Sequence, residues 1–284
     1  MRRMILSLVV AVVFAAGGYG SSRPTDERKT EKVGLNEYVL VKGPVQLEKG
    51  DYNASGVTFN PDTNTLFVVL NSPCWVVEVD LEGKTKRVIP LEFFADTEGI
   101  AYMGNGLYAV TEERRRIVCL IRIESDTKEV KREDAMEMLV EQGSGNNGLE
   151  GIAFDADKNM MYVVKEYAPR RIYRFPRPDG KKAPTVKQPW DIEKESLGMD
   201  DVAGIHFHAD TGHLLIVSEA SVCVVECTTK GEEISRLDMS GGSAGMREGT
   251  PQAEGVTMDN KGRLYVVSEP NLLYVFEKKG EVSR

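Results

Sequence analysis

The stretch EGIAFDADKNMMYVVKE, residues 150–166, decides the fold, because its pattern occurs five times along the chain. A short apolar β run leads into a turn rich in Asp and Asn, and a second apolar run follows, which is typical of a β-hairpin. Related stretches begin at Ser55, Glu98, Ala203 and Glu254. The glycines that they share lie 43 to 53 residues apart and are Gly56, Gly99, Gly151, Gly204 and Gly255. This period predicts the blades of a β-propeller.

Each hairpin is followed by a third apolar run, such as RIYRF at 171–175, and most units show a fourth, such as KTKRVIPLE at 84–92. The last unit ends after three runs. The segment EYVLVKGPVQLE at 37–48 precedes the first unit and supplies the missing strand. The sequence therefore predicts an all-β protein, a single propeller over residues 36–280, with five blades of four antiparallel strands closed by an N-terminal strand. Six blades are the alternative, if residues 181–200 or the N-terminal stretch hide a degenerate unit.

The N-terminal segment differs from the rest of the chain. Arg2 and Arg3 precede an apolar run at 4–16, and small residues follow it. This pattern predicts a signal peptide at 1–20, with an uncleaved membrane anchor as the alternative. Residues 21–35 are polar and are interpreted as a flexible linker. We therefore expect export to the periplasm or cell envelope, with membrane association limited to the N-terminus or the periphery.

Composition narrows the range of partners. The chain of 284 residues is 41% hydrophobic and 28% charged, as expected for a folded domain, and its net charge is -8. An acidic surface argues against nucleic acid as a partner. No two of the four cysteines have the CxxC spacing. They are interpreted as small apolar core residues, with an inter-strand disulfide as the alternative. They are Cys74, Cys119, Cys223 and Cys227.

The order of these motifs resembles that of the SdiA-regulated, or YjiK-like, family of bacterial β-propellers. The similar segments are SGVTFNPDTNTLFVV at 55–69, GNNGLEGIAF at 145–154, AGIHFHADTGHLLIVSE at 203–219 and QAEGVTMDNKGRLYVVSEPNLLYVF at 252–276. The resemblance covers about 37–278 and implies an exported or envelope-associated propeller. It also implies a likeness to calcium-dependent phytase propellers. It supplies no catalytic residues.

Two positions of the repeat are rich in carboxylates. The residue before the shared glycine is Ser55, Glu98, Glu150, Ala203 or Glu254, and the residue that ends the second run is Asn71, Glu112, Glu166, Glu219 or Glu269. The first strand of a propeller blade lines the channel, and the second returns to the same face. Both positions should therefore meet at one mouth of the channel. The shared glycine itself is explained by close approach of neighbouring backbones.

Crowded carboxylates repel one another unless a cation or arginines offset their charge. Hard cations, above all Ca²⁺, suit carboxylate and amide oxygens. We therefore predict a metal site at Glu98, Glu150 and Glu254, to which Asn147 could add a neutral oxygen. The alternative is structural: the glutamates accept backbone N–H bonds or pair with Arg114, Arg115 and Arg170.

Other motifs carry less information. His206 and His208 share a strand face, as in an HxH metal pair, but they are interpreted as ordinary polar strand residues. GxSxG, a P-loop and GxGxxG before a helix are all absent from the sequence, which does not favour a serine hydrolase or a nucleotide enzyme.

The sequence favours a binding protein that presents an acidic, Ca²⁺-loaded funnel to a small molecule or an envelope protein. The alternative is a metal-dependent hydrolase, similar to a phytase or other phosphoesterase, or to a lactonase. A channel-bound cation would then act as a Lewis acid, and Arg114, Arg115 and Arg170 would hold the substrate. The residues leave open whether the protein is an enzyme.

Overall fold

The computed structural model describes residues 32–48, 53–143, 145, 147–167, 169–178, 190–191 and 197–280. The predicted signal peptide, most of the predicted linker, and Asn146 lie outside this part. Within it, the chain forms five small sheets arranged in a ring. None of the helices in this part is both long and apolar enough to cross a membrane.

The five sheets are the blades, and the strands are numbered in chain order. Blade 1 contains β2 (Ala54–Asn60), β3 (Thr65–Leu70), β4 (Trp75–Val79) and β5 (Thr85–Glu92). Blade 2 contains β6 (Thr97–Tyr102), β7 (Leu107–Glu112), β8 (Ile117–Arg122) and β10 (Met136–Leu139). Blade 3 contains β11 (Leu149–Asp155), β12 (Met160–Lys165), β13 (Arg171–Pro176) and β14 (Trp190–Asp191).

The remaining blades complete the ring. Blade 4 contains β15 (Gly204–His208), β16 (His213–Ser218), β17 (Cys223–Cys227) and β18 (Glu233–Asp238). Blade 5 contains β19 (Gln252–Met258), β20 (Leu264–Glu269) and β21 (Leu272–Lys278), and β1 (Tyr38–Gln46) is its outer strand. β1 runs antiparallel to β21, from Tyr38 opposite Lys278 to Gln46 opposite Leu272. The predicted five blades and their closure by an N-terminal strand are confirmed, and the six-blade alternative is wrong.

One blade departs from the expected four strands. The short strand β9 (Val130–Lys131) belongs to the connection within blade 2, but it pairs in parallel with β5 of blade 1. Leu91 and Glu92 face Val130 and Lys131 across this pair. The added strand covers the outer edge of blade 1, which would otherwise present unpaired backbone groups.

The chain is anchored before β1 begins. The backbone N–H groups of Val33 and Gly34 donate to the Glu226 carboxylate, at 2.7 and 3.0 Å. The N–H of Leu35, a fully buried residue, donates to Ser235 Oγ at 2.8 Å. Residues 33–35, which we had assigned to a flexible linker, are therefore packed against blade 4.

Apolar side chains fill the spaces between neighbouring blades. Between blades 1 and 2, for example, the rings of Phe67 and Tyr108 lie 4.8 Å apart, centroid to centroid. The cysteines contribute to these cores as free thiols, so the inter-strand disulfide is absent. Three of them are buried, as expected, whereas Cys74 is half-buried and donates its thiol to the Asn71 carbonyl.

The shared glycines meet around the channel axis and form what we call the glycine ring: Gly56, Gly99, Gly151, Gly204 and Gly255. A Cβ atom on Gly151 would lie 2.7 Å from the Cα of Gly204, and one on Gly99 would lie 2.9 Å from the Cα of Gly151. These distances are too short for nonbonded carbons. The five inner strands can therefore approach this closely only because these positions carry no side chain.

Replacing one member of the glycine ring should destabilise the whole propeller. We expect Gly151→Ala to lower the free energy of unfolding by about 2–3 kcal/mol, because the new methyl group collides with backbone that has no room to move. Urea denaturation followed by circular dichroism measures the change.

The matched control is Gly241→Ala. That position is exposed, and a Cβ there would come no closer than 3.3 Å to its nearest neighbour. We expect its effect to stay below about 1 kcal/mol. Equal losses in the two variants would contradict the role given to the ring.

Candidate functional site

The carboxylate before each shared glycine lies at an irregularity of the inner strand. The pairing of β6 with β7, β11 with β12, and β19 with β20 shifts register at the residues that include Glu98, Glu150 and Glu254. A β-bulge of this kind changes the direction of a side chain. It places these glutamates at the N-terminal ends of the inner strands, at one mouth of the channel.

In blade 2, the sequence interpretation placed the residue that follows the second strand one position too early. The hairpin turn of blade 2 has three residues, 104–106, because Met103 bonds Leu107, whereas that of blade 1 has four, 61–64. The shorter turn reduces by one the number of residues between the shared glycine and the residue that follows the second strand. Glu113, and not Glu112, is therefore the counterpart of Glu166, Glu219 and Glu269.

Glu112 has a different role. Its side chain is fully buried, and its carboxylate pairs with Arg132 at 2.6 Å and with Arg115 at 3.3 Å. The N–H of Ala95 also donates to it, at 2.8 Å. A one-residue shift along a strand moves a side chain to the opposite face, and here it moves Glu112 into the contact between blades 1 and 2.

A third position of the repeat also contributes acids, and the sequence interpretation missed it. Three residues before the shared glycines stand Asn53, Asp96, Gly148, Asp201 and Gln252. Asp96 and Asp201 join the glutamates at the mouth, and Gln252 bonds to Glu219. Four polar residues at one position of five repeats were the signal that could have revealed them.

These positions form two groups of three carboxylates. In the first triplet, ligand oxygens of Asp96, Glu98 and Glu113 all lie within 4.8 Å of one another. In the second triplet, the same holds for Glu166, Asp201 and Glu219. We call these six residues, with Glu150, Glu254 and Glu269, the acidic mouth. The acidic clusters are compatible with a divalent cation.

Burial and mutual repulsion raise the pKa values of the glutamates at the acidic mouth. Burial raises the pKa of Glu98 to about 7 and that of Glu254 to about 9, and neighbouring carboxylates add to both shifts. Burial also raises the pKa of Glu166 to about 7, with a further contribution from Asp201. The pKa of Glu150 rises well above its usual range through burial and the charges of both triplets.

The ion pairs of the described residues leave most of this mouth unpaired. No basic side chain of those residues forms an ion pair with Glu98, Glu113, Glu150, Glu166, Glu219, Glu254 or Glu269. The exception within the first triplet is Asp96, whose Oδ2 lies 3.0 Å from Arg114 Nε. The negative charge of the mouth is therefore compensated only in part by the described residues.

The other residues predicted for this mouth have defined partners. Asn71 donates its Nδ2 to Glu98 Oε1 at 2.9 Å. Asn147 is exposed, and its backbone, through a hydrogen bond, partly offsets the rise in the pKa of Glu113, which burial dominates. Arg115 pairs with Glu112 and Glu137, and Arg170 donates to the Met199 carbonyl. The two arginines are thus committed to contacts outside the triplets.

His206 and His208 lie at the other end of the channel. Both are on β15, beyond the glycine ring and away from the acidic mouth. His208 Nδ1 lies 2.9 Å from Thr211 Oγ1, and His206 Nδ1 lies 3.4 Å from Thr257 Oγ1. Among the described residues, neither histidine belongs to a group of metal-ligating side chains.

The repeat, the five-bladed ring and the acidic mouth agree with a match over residues 31–277 to the family model described as SdiA-regulated. The chain belongs to the SdiA-regulated family. This match confirms the resemblance seen in the motifs.

Solved structures show the same fold in distant proteins. A calcium-binding protein, regucalcin, from Agrobacterium tumefaciens is 16% identical, with a TM-score of 0.52, over 86% of this chain and 94% of its own. An auxiliary nutrient binding protein from Bacteroides thetaiotaomicron is 12% identical, with a TM-score of 0.55, over 84% of this chain and 76% of its own. At identities this low, the similarity shows a shared propeller fold and nothing further.

The raised pKa values predict how stability depends on pH. The mouth glutamates bind protons more tightly in the folded chain than at their usual value of 4.5, so the free energy of unfolding falls as the pH rises through about 7 and about 9. Without divalent cations, we expect the melting temperature to drop by several degrees between pH 5 and pH 9.

Glu254→Gln tests the source of this drop. Removing one charge should make the protein more stable than the parent at pH 9, by about 1–2 kcal/mol, and should reduce the slope above neutrality. Carboxylates with lowered pKa, such as Glu141 and Glu226, act below pH 4.5. Burial lowers the pKa of His206 from 6.5 to about 3, which by itself raises stability between pH 5 and about 6.5 and opposes part of the drop. A parent melting temperature that is constant from pH 5 to pH 9 would contradict the electrostatic interpretation.

Proposed function

We propose that this SdiA-regulated propeller is an exported binding protein that holds a divalent cation, Ca²⁺, in its acidic mouth. With its cation bound, the mouth would bind an anionic small molecule or an envelope protein. The observation that carries the proposal is the first triplet, in which three carboxylates meet with one arginine as partial compensation.

The first triplet fits a hard cation because one oxygen of each carboxylate is held by a neighbouring group. Asn71 bonds Glu98 Oε1, the N–H of Gly148 bonds Glu113 Oε1 at 3.0 Å, and Arg114 approaches Asp96 Oδ2. These contacts orient the three groups, and one oxygen of each lies within 4.8 Å of the others, close enough for the three carboxylates to share an ion. Ca²⁺ binds six to eight oxygens at roughly 2.3–2.6 Å, so water or a ligand would complete the shell.

The second triplet fits a cation less well. The Ser218 hydroxyl donates to Asp201 Oδ1, and the N–H of Ala220 donates to Asp201 Oδ2 at 3.0 Å. Both oxygens of this buried carboxylate are therefore engaged by blade 4 itself. Asp201 is explained by its role in holding the loop after β16, and we assign the cation to the first triplet.

Glu150 and Glu254, two of the three predicted metal ligands, stand beside this site. Their pKa values respond to members of both triplets, so their charges contribute to the field at the mouth. A cation bound at the first triplet would lower the repulsion that all of them experience. They would strengthen binding by electrostatics, while Glu98 supplies a ligand oxygen.

The choice of Ca²⁺ rests on ligand chemistry and on one structural neighbour. Oxygen-only sites of carboxylates and amides suit Ca²⁺ and Mg²⁺, and the loose spacing of the triplet favours the larger ion. Regucalcin, which shares the fold, is described as calcium-binding. The N-terminal apolar segment supports export, and extracellular compartments supply Ca²⁺ at the concentrations that weak sites require.

The arginines favour binding over hydrolysis. Arg114 and Arg115 pair with Asp96 and Glu112, and Arg170 bonds a backbone carbonyl. A phosphoesterase needs cationic groups that turn toward the substrate phosphate. Arg114 is thus held by an acid of the mouth, and Arg115 and Arg170 are engaged outside it. The mouth therefore offers acids and a cation, without an electrophilic clamp from these three arginines.

Calorimetric titration of the purified protein with Ca²⁺ tests the site. We expect one bound ion, a higher melting temperature in its presence, and weaker binding at pH 5 than at pH 8, because protons compete for the same oxygens. Glu113→Gln should weaken binding by at least about tenfold, since it removes one ligand charge.

Glu133→Gln is the matched control, because that residue is exposed and lies outside the mouth. It should leave Ca²⁺ binding unchanged. An absence of Ca²⁺ binding in the parent, or equal losses in Glu113→Gln and Glu133→Gln, would refute the cation site.

An enzymatic assay separates the two candidate functions. We expect the Ca²⁺-loaded protein to show no turnover of p-nitrophenyl phosphate, phytate or simple lactones above a buffer control. Turnover that requires Ca²⁺ and disappears in Glu98→Gln would show instead that the mouth is a hydrolase site.

A further inference from the structure

A second cavity opens at the end of the channel opposite the acidic mouth. Its volume is about 430 Å³, and it is lined by the C-terminal halves of the five inner strands. The glycine ring lies between the two ends and encloses a void of only about 10 Å³. The cavity is therefore a separate compartment, within the usual size range of small-molecule sites.

The repeat makes the walls of this cavity aromatic. The residue three positions after the shared glycine is Phe59, Tyr102, Phe154, Phe207 or Met258, and all five line the cavity. Arg177 and Lys158 lie over the rings of Phe154 and Phe207, with 5.8 Å from the cation to each ring centroid, and Tyr162 stacks on Phe207. Aromatic walls of this kind suit a flat apolar ligand.

One polar side chain interrupts the small residues deeper in the cavity. Two positions after the shared glycine stand Thr58, Ala101, Ala153, His206 and Thr257. His206 is the only one with a ring, and it lines the cavity. Burial lowers its pKa to about 3, so the imidazole is neutral at any physiological pH.

One hydrogen-bonding arrangement leaves the proton of His206 facing the cavity. Thr257 Oγ1 accepts the N–H of Phe59 at 3.1 Å and can donate its own hydroxyl hydrogen to His206 Nδ1, 3.4 Å away. In that arrangement the imidazole proton resides on Nε2. Among the described residues, no hydrogen-bond partner of His206 Nε2 is present. His206 thus offers one N–H donor to whatever fills the cavity.

The rim of the cavity adds little net charge. Asp259 pairs with Arg263 at 2.7 Å, and Lys278 pairs with Glu37 at 3.2 Å. The Tyr102 hydroxyl bonds the Asp62 carboxylate. Lys32 and Asp210, two exposed residues of opposite charge, also line the cavity. An ionised ligand would therefore find no net opposite charge there to replace its lost hydration, which disfavours binding.

We propose that this cavity binds an uncharged aromatic compound that bears a carbonyl oxygen, with its ring between the aromatic walls and its oxygen accepting the Nε2–H of His206. The site is independent of the acidic mouth and of the cation proposed there. Its donor and its walls come from different positions of the same repeat, which explains why His206 stands where the other blades carry Thr or Ala.

Coumarin is a suitable probe, because it is flat and uncharged and carries a carbonyl, whereas naphthalene has a similar shape without an acceptor. We expect coumarin to bind the purified protein in saturation-transfer NMR and calorimetry, more tightly than naphthalene. His206→Phe should weaken coumarin binding by about tenfold, the usual effect of one lost hydrogen bond, and should leave naphthalene binding unchanged.

A second variant keeps the test independent of effects at the buried histidine. Ala209→Trp adds a large side chain at an exposed position on the rim and should reduce binding of both probes. Ca²⁺ titration of each variant should match that of the parent, which would show that the fold and the other mouth are intact. The proposal is overturned if coumarin does not bind, or if its binding is the same in the parent and both variants.

Discussion

The close approach of five backbones at the channel axis is the constraint on which the rest of this propeller depends. Each inner strand carries a glycine where the next strand passes, and a methyl group at Gly151 or Gly204 would overlap neighbouring backbone. With the glycines in place, the apolar faces of adjacent blades come into contact and bury their side chains. The burial of apolar side chains that stabilises the fold therefore depends on the lack of a side chain at this position of the repeat.

The same constraint divides the channel into two compartments of different chemistry. On one side, bulged residues and strand ends bring carboxylates together, and their repulsion raises the pKa of Glu98 and Glu254. On the other side, the same strands present aromatic rings and two histidines, His206 and His208, whose pKa values are lowered by burial. A repeat of about fifty residues therefore builds two compartments from a few positions, each of which recurs around the ring.

The acidic mouth also illustrates how a fold maintains unfavourable charges. Glu112 and Glu113 are neighbours in the chain, but Glu112 is neutralised by Arg132 and Arg115, whereas Glu113 shares its surroundings with Asp96 and Glu98. Stability alone would favour the first arrangement at every position. Carboxylates that remain unpaired are a common feature of sites that bind cations or move protons.

The sequence by itself determined the number of blades, the closure by an N-terminal strand, the glycine ring and the existence of an acidic mouth. These features follow from repeated local patterns, which need no knowledge of distant contacts. The packing of residues 33–35 on Glu226, the place of Glu113 instead of Glu112, and the participation of Asp96 and Asp201 were decided only by the tertiary structure. The physical reason is register: one residue fewer in a hairpin turn changes which side chain reaches the channel, and the repeat pattern does not show that change until the strands are paired.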